Sequence, residues 1–156
     1  MDRIIFLDFD GVMVSYDSEW DRELNCHAFS PDCVNVLNEI IRHSNAQIVI
    51  SSSWRYGWTL AELNERMRTF GVIQNAIDIT PAKPSSTRYH EIHLWLKNNP
   101  QIKHFVVLDD DEEARWFEAR WIHTRLRDGL QPEHVEEALS IFERSESGEI
   151  LEHDLG

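Results

Sequence analysis

Residues 4–11 read IIFLDFDG, a short apolar run that leads directly into two aspartates separated by one residue and then a glycine. The run predicts a buried strand, and Gly11 favours a turn immediately after it. Because strand side chains alternate between faces, Asp8 can point away from the end of the sheet while Asp10 returns beside it. Two neighbouring carboxylates suit Mg²⁺, which takes oxygen ligands and shares its coordination shell with substrate phosphates. This stretch therefore suggests an enzyme that handles phosphate.

An Asp-Gly pair after a strand is also ordinary turn chemistry, so residues 8–11 alone do not separate the two interpretations. The rest of the chain does, because further polar clusters follow predicted strands, among them Ser51 to Ser53 and Asp109 to Asp111. The carboxyl ends of parallel strands meet at one edge of a sheet. We therefore expect Asp8, Ser51 and Asp110 to converge on one crevice.

Predicted strands and helices alternate along the chain. The predicted strands are residues 4–7, 46–50, 104–108 and 121–124, with weaker candidates at 72–73 and 77–79. The predicted helices begin after Ser30, after Thr59, after Thr87 and after Pro132, the last with Val135, Leu139 and Phe142 on its buried side. Alternation of this kind predicts a three-layer, Rossmann-like α/β fold with a parallel sheet and helices on both faces.

Length and composition predict one domain over residues 1–142, followed by an acidic C-terminal tail over residues 143–156. The 156 residues include 15 Lys and Arg against 28 Asp and Glu, a net charge of −13 that opposes nonspecific binding to nucleic acid. Two cysteines, Cys26 and Cys33, are too few for a disulfide framework. No apolar run is long enough for a signal peptide or a membrane span, so we expect a cytoplasmic protein without a membrane partner.

The two carboxylates of the first motif fit a two-step phosphoryl transfer. Asp8 is the candidate nucleophile, since a carboxylate can attack phosphorus and form an acyl phosphate. Asp10 is the candidate general acid and base, which protonates the leaving alkoxide and later takes a proton from the attacking water. Mg²⁺ would offset the repulsion between these carboxylates and an incoming phosphomonoester, so we expect turnover to require it.

Four short motifs, in the same order over most of the chain, resemble those of the haloacid-dehalogenase-like (HAD) phosphatases. The first is DFDGV at residues 8–12, and the second is the serine that follows Ile48 to Ile50. The resemblance implies that Ser51, or its neighbour Ser52, holds a phosphoryl oxygen. It also implies a cationic residue before the strand at 104–108. The candidates are Arg88 and Lys83, and lysine is the more usual residue type at this place.

The fourth motif is VLDD at residues 107–110. The resemblance implies that the Asp8 carboxylate and the Asp10 backbone carbonyl bind the metal, with Asp110 as a further ligand and Asp109 as its support, the order of this pair being open. Asp10 also favours phosphoryl chemistry, because the dehalogenase branch of the family needs only the first aspartate of this motif.

Members of the family that act on small metabolites often carry a cap domain in one of two intervals, here residues 12–29 and 56–87. These intervals fit a short flap and a helix, so we expect no large cap. An open site suits a macromolecular end, or a lid supplied by an oligomer partner. Residues 48–55 and 88–92 resemble the HAD branch of bacterial and phage RNA-repair proteins, which implies a nucleotide or a nucleic-acid terminus as the substrate.

The segment from Ser51 to Trp58 interleaves three aromatic residues with Arg55. Such rings can stack a nucleobase beside a phosphate site. The more ordinary interpretation is that they cover the sheet edge and pack on the following helix.

Three other functions use some of the same residues. A small-metabolite phosphatase or a phosphotransferase would share the Asp8 chemistry, and only a comparison of substrates distinguishes it from an enzyme that acts on nucleic-acid ends. A receiver-like signalling module places its phospho-acceptor on a middle strand, whereas the middle strand here is predicted to end in Ser51. A partner-binding protein without activity would rely on the acidic tail, and the complete set of motifs favours an enzyme instead.

Overall fold

The computed structural model describes residues 2–82 and 86–150. Its main strands are β1 (Arg3–Leu7), β4 (Gln47–Ile50), β5 (Ala76–Ile79), β6 (His104–Asp109) and β7 (Trp121–His123). They form one five-stranded parallel sheet in the order β5-β4-β1-β6-β7. A separate antiparallel hairpin consists of β2 (Trp20–Asp21) and β3 (Cys26–His27). The predicted α/β fold with a parallel sheet is confirmed.

The described residues form four α-helices: α1 (Pro31–Ser44), α2 (Leu60–Thr69), α3 (Arg88–Asn98) and α4 (Glu133–Glu146). The first three lie between strands, and α4 follows the last strand. Two 3₁₀ segments, Ser53–Tyr56 and Glu112–Arg120, follow β4 and β6, and the second is broken at Glu118. Thr59 and Glu62 form both hydrogen bonds of a capping box at the start of α2. The Thr87 hydroxyl accepts from the His90 N–H at the start of α3. These caps satisfy backbone N–H groups that have no partner within the helix, and so they fix where each helix begins.

Two apolar layers cover the sheet, as its alternating side chains require. Ile5 and Leu7 of β1 face one layer with α1, α2 and α4, where Leu37, Met67 and Phe142 are buried. Ile4 and Phe6 face the other layer with α3 and the segment Glu112–Arg120, whose buried residues include Ile92, Trp95 and Phe117. Helices therefore pack on both faces, and β1 is buried between them.

The region after β1 contains no large inserted domain within residues 2–82 and 86–150. Between Gly11 and α1 the chain forms only the hairpin of β2 and β3. The interval between β4 and α3 holds the first 3₁₀ segment, α2 and β5. Among the same residues, no helix has the length and apolar character needed to cross a bilayer.

Several local predictions need correction. Residues 72–73 form no strand: the Val72 N–H donates to the carbonyl of Met67 and the Ile73 N–H to the side chain of Asn38, which hold both in a turn after α2. On the buried side of α4, Phe142 is confirmed and Val135 is only partly buried against the core, whereas Ala138 and Ile141 are fully buried and Leu139 is intermediate.

The last helix also extends further than the sequence suggests. Helix α4 continues to Glu146, four residues into the segment expected as an acidic tail. The Nε of Arg3, in β1, donates to a Glu146 carboxylate oxygen at 2.7 Å, so this turn is attached to the sheet. Residues 151–156 lie outside the described part of the chain.

The middle of the sheet is β1 and not the strand that ends in Ser51. Chain order and spatial order differ here, because the chain leaves β1 toward β4 and β5 and then returns to β6 on the other side. The prediction that the middle strand of this chain ends in Ser51 is therefore wrong, and it does not distinguish the chain from a receiver-like module. The switch in direction at β1 opens a crevice at the carboxyl ends of β1, β4 and β6, which is where ligands bind in open α/β sheets.

Candidate active site

Three carboxylates meet at this crevice. Asp8 follows β1, Asp109 is the last residue of β6, and Asp110 comes next in the chain. One oxygen from each lies within 4.8 Å of one from each of the others. Asp8 and Asp109 are buried, whereas Asp110 is partly exposed. The structure thus brings together the first and fourth motifs, which are about a hundred residues apart in the chain.

Arg88, the first residue of α3, inserts its guanidinium between two of these acids. Its Nη1 lies 2.8 Å from Asp109 Oδ2 and 3.2 Å from Asp8 Oδ1. The capped start of α3 at Thr87 sets this position. Lys83, the other candidate for the cation, lies outside the described residues.

Burial changes the acidity of the cluster. Loss of solvent raises the pKa of Asp8 to about 7, with a further contribution from Asp109, while Arg88 opposes the rise. Burial likewise raises the pKa of Asp109 to about 6 and that of Asp110 to about 6. The two buried acids raise the pKa of Arg88 despite its own burial, so this side chain stays charged. Among the described residues, the three carboxylates therefore outnumber the one cation in contact with them, Arg88.

The two aspartates of the fourth motif have different surroundings. Asp109 Oδ1 accepts from the Asp111 N–H at 2.9 Å and Oδ2 accepts from Arg88, so both oxygens are engaged. Asp110 approaches the turn after β1 so closely that a Cβ on Gly11 would overlap its carboxylate. Gly11 also has φ +79°, a conformation that other residues seldom adopt. The need for glycine therefore comes from Asp110 as well as from the turn.

The Asp10 carboxylate is not part of the three-acid cluster. It is exposed, and both of its oxygens accept from the indole Nε1 of Trp54 at 3.2 Å. The Trp54 ring is held by edge contacts with Phe9, at 5.0 Å between centroids, and with Trp58, at 5.6 Å. The tryptophan thus orients the proposed acid and base from the neighbouring strand end, a contact that no sequence pattern indicated.

The two serines after β4 also have different hydrogen-bond surroundings. The Ser52 hydroxyl accepts from the Trp54 N–H at 3.2 Å and caps the 3₁₀ segment. The Ser51 hydroxyl is buried and, among the described residues, has no hydrogen-bond partner. A buried polar group without a hydrogen-bond partner is costly and therefore rare. Such a group is expected at a place where a bound ligand supplies the partner. Ser51 is therefore the better placed of the two for a phosphoryl oxygen.

Arg55 has a structural position rather than a ligand-facing one. Its side chain is fully buried, with Nη2 at 2.5 Å from a Glu91 oxygen. Its other nitrogens donate to the backbone carbonyls of Ser51, Ser52 and Thr80. Arg55 thus joins the ends of β4 and β5 to α3.

Two threonines at neighbouring strand ends were missed by the sequence analysis. Thr124, after β7, donates from Oγ1 to the carbonyl of Gly11 at 2.6 Å and so supports the turn that carries the first motif. Thr80, after β5, has a buried hydroxyl without a partner among the described residues, as Ser51 does. The only available signal was their place at the end of a predicted strand: Thr124 is the last residue of the predicted strand 121–124, and Thr80 follows the predicted strand 77–79. Many threonines occupy such positions without a role in a site.

The donor set fits a hard divalent cation. Carboxylate oxygens are the ligands that Mg²⁺ prefers, and it binds through one or two of them plus substrate oxygens and water. Asp110, which is partly exposed, and Asp8, which is buried beside it, offer such oxygens. Asp109 has both oxygens engaged and is better suited to support Arg88.

Comparison with known proteins agrees with this geometry. The family model described as "HAD domain in Swiss Army Knife RNA repair proteins" matches residues 4–135. No curated protein matches the chain significantly. The matched range begins in β1, ends in α4 and includes all the site residues described above. The chain therefore belongs to the family of HAD domains found in Swiss Army Knife RNA repair proteins.

Proposed function

We propose that this protein hydrolyses phosphomonoesters with the help of Mg²⁺, and that the phosphoryl group passes through Asp8. The observation that carries the proposal is the cluster of Asp8, Asp109 and Asp110 oxygens within 4.8 Å at the carboxyl edge of the sheet. Arg88 contacts two of these acids. A structural ion-pair network would not need the third carboxylate or the unpartnered Ser51 hydroxyl beside it.

In the first step an Asp8 carboxylate oxygen attacks phosphorus, and the bond from phosphorus to the ester oxygen breaks. Asp8 is directed by the Phe9 N–H, which donates to its Oδ1 at 2.8 Å, and by Arg88. Arg88 favours the ionised, nucleophilic form of a carboxyl that burial would otherwise keep protonated. The Ser51 hydroxyl donates to a phosphoryl oxygen and thereby gains the partner it lacks.

Asp10 handles the proton in both steps. It gives its proton to the leaving oxygen, and afterwards takes one from the water that attacks the phosphorus of the acyl phosphate and restores the Asp8 carboxylate. The Trp54 indole holds the Asp10 carboxylate in place through both oxygens. Such a contact limits the positions from which Asp10 can reach the ester oxygen.

Asp8, Asp110 and the backbone carbonyl of Asp10 are the proposed Mg²⁺ ligands. The cation, when bound, supplies positive charge that lets an anionic phosphate approach a cluster of carboxylates. Asp109 holds Arg88 and does not need to bind the cation itself.

The proposed substrates are nucleotides or the phosphorylated ends of RNA or DNA. The family to which the chain belongs is described by its occurrence in RNA repair proteins. The crevice has no large cap within the described residues, so a polymer end can reach Asp8. The same catalytic residues are compatible with a small-metabolite phosphatase or a phosphotransferase. A comparison of the substrates that are turned over distinguishes these activities.

The test is phosphate release in Mg²⁺ from a panel of 3′- and 5′-phosphorylated oligonucleotides, mononucleotides and sugar phosphates. We expect one class of nucleic-acid or nucleotide substrate to be preferred over sugar phosphates. Asp8→Asn, which keeps the side-chain shape, is the control for contaminating phosphatase. Equal, weak rates on every substrate would reject the nucleic-acid assignment, and rates unchanged by Asp8→Asn would reject the mechanism.

A further inference from the structure

A cavity of about 530 Å³ adjoins the reaction centre on the side of the hairpin. Asp10 lines it, so the cavity begins beside the proposed acid and base. Three tryptophans, Trp20, Trp54 and Trp58, form much of the wall together with His27. Volumes of this size are typical of small-molecule sites, which are largely aromatic with a few polar groups.

Trp54 and Trp58 form a fixed wall of this cavity. Trp54 is held by its bond to Asp10 and by edge contacts with its aromatic neighbours. The guanidinium of Arg66 lies over the Trp58 ring at 4.0 Å from its centroid. The same Arg66 donates from Nη2 to the carbonyl of Leu24 at 2.8 Å, in the turn of the hairpin. One buried side chain of α2 thus joins Trp58 and the hairpin, which both contribute to the surroundings of the cavity.

Trp20, in the hairpin, forms another part of the wall. It lies in β2, opposite His27 of β3, and the two rings meet edge to face at 5.1 Å. Trp20 is nevertheless 53% exposed. A large aromatic ring that is oriented by a neighbour yet open to solvent beside a reaction centre is suited to stack on a flat ligand.

The charge of the lining limits what the cavity can hold. Among the described residues, no lysine or arginine lines the cavity, whereas the acidic residue Asp10 does. Arg88, at the start of α3, and Ser51, after β4, instead serve the anionic phosphate. An uncharged, planar part of the substrate is therefore the complementary ligand.

We propose that this cavity binds the nucleobase of the nucleotide that carries the scissile phosphate, stacked between Trp20 and the wall of Trp54 and Trp58. The proposal rests on the proposed function and makes it more specific: the protein recognises the terminal nucleoside, and further nucleotides of a polymer contribute little. Stacking on aromatic rings tolerates every base, so the site selects for a base but only weakly among bases.

A larger cavity, of about 940 Å³, lies at the other side of the hairpin and is lined by Asp17, Asp32, Arg127 and Asp128, among others. Its lining does not include any of the catalytic carboxylates. The nucleobase proposal therefore concerns only the cavity that Asp10 shares.

The test uses calorimetric titration of the Asp8→Asn protein in Mg²⁺, which does not turn over the ligands. Adenosine 5′-monophosphate and adenosine 3′-monophosphate are compared with ribose 5-phosphate, which has no base. We expect the better of the two nucleotides to bind about tenfold more tightly than ribose 5-phosphate, the size expected for one stacked base. Trp20→Ala should remove this advantage and Trp20→Phe should keep most of it.

Trp116→Ala is the matched control, because Trp116 is 59% exposed but does not line the cavity. Equal affinity for nucleotides and ribose 5-phosphate, or a preference that survives Trp20→Ala, would overturn the proposal. Turnover by the unchanged protein separates this result from a failure of the hydrolase assignment. Hydrolysis without preference for a base would support the proposed hydrolase function and reject the nucleobase site. Base-dependent binding without hydrolysis would support the nucleobase site and reject the hydrolase function.

Discussion

Arg88 Nη1 lies 2.8 Å from Asp109 Oδ2 and 3.2 Å from Asp8 Oδ1, so one guanidinium bridges the first and fourth motifs of the site. All three side chains are largely buried. A cation in this place restrains the nucleophile and favours its ionised form, and it makes the two strand ends depend on α3.

We expect Arg88→Ala to lower kcat/KM by about a hundredfold or more, since a preorganised charge at the reacting group is lost. The free energy of unfolding at neutral pH should fall by about 3 kcal/mol, because buried acids lose their partner. Arg88→Lys should recover part of both, since it keeps the charge but not the planar fork. Arg127→Ala, a change at an exposed arginine, should alter neither steady-state rates nor denaturation curves. An unchanged kcat/KM in Arg88→Ala would show that Arg88 takes no part in the reaction.

Gly11→Ala should disable the site by displacing Asp110. The added Cβ overlaps the Asp110 carboxylate and sits at a backbone φ of +79°. A displacement of about 1 Å in such a site can lower the rate by about a hundredfold. Gly148→Ala is a matched control, because Gly148 has φ +82° but nothing within 4 Å of a Cβ. Equal losses of activity in the two variants would attribute the effect to backbone strain in general and not to Asp110.

Replacement of the two serines should separate binding from capping. Ser51→Ala removes a hydroxyl without a partner, so stability should change by less than about 0.5 kcal/mol while kcat/KM falls by about tenfold or more. Ser52→Ala removes the cap of a 3₁₀ segment and should cost about 1 kcal/mol of stability with a smaller effect on kcat/KM. Denaturant titration and phosphate release on both variants measure the two effects. The opposite pattern would move the phosphate contact to Ser52.

Stability of the metal-free protein should fall as the pH rises. Burial raises the pKa of Asp8 to about 7 and that of Asp109 to about 6. A carboxyl whose pKa is raised on folding stabilises the folded state fully below its unfolded pKa, and this stability is lost as the pH rises through the folded value. We expect the loss between about pH 4 and about pH 7 in thermal unfolding with a chelator present.

Millimolar Mg²⁺ should oppose this loss, and most strongly at the upper end of that range, because cations bind ionised carboxylates. Asp110→Asn should reduce the stabilisation by Mg²⁺. A stabilisation by Mg²⁺ that is equal in the unchanged protein and in Asp110→Asn would place the cation elsewhere.

The parts of the site that follow from strand ends were predictable from the sequence. Asp8, Ser51 and Asp110 each lie just after an apolar run. Parallel strands bring such positions to the same edge of the sheet in any strand order. Strand order was not predictable in the same way, because β1 lies between β4 and β6 in space although it comes first in the chain. Pairing across the sheet depends on how the crossovers pack, which local patterns do not contain.

Contacts between distant residues were also not predictable. The choice between Arg88 and Lys83 depends on where α3 begins relative to β6. The Trp54 bond to Asp10 and the fit of Asp110 against Gly11 each join residues that are tens of positions apart. Their residue types, tryptophan in a loop and glycine in a turn, have common explanations that need no such partner.

The most direct test of the account is to trap the phosphoryl group on the protein. A phosphomonoester with a good leaving group is mixed with the protein in Mg²⁺, the reaction is stopped with acid within the first turnover, and the modified residue is located by borohydride reduction and mass spectrometry. We predict an acyl phosphate on Asp8 that is absent from Asp8→Asn and persists longer in Asp10→Asn. Hydrolysis that continues with no label on Asp8, or that survives in Asp8→Asn, would contradict the central claim.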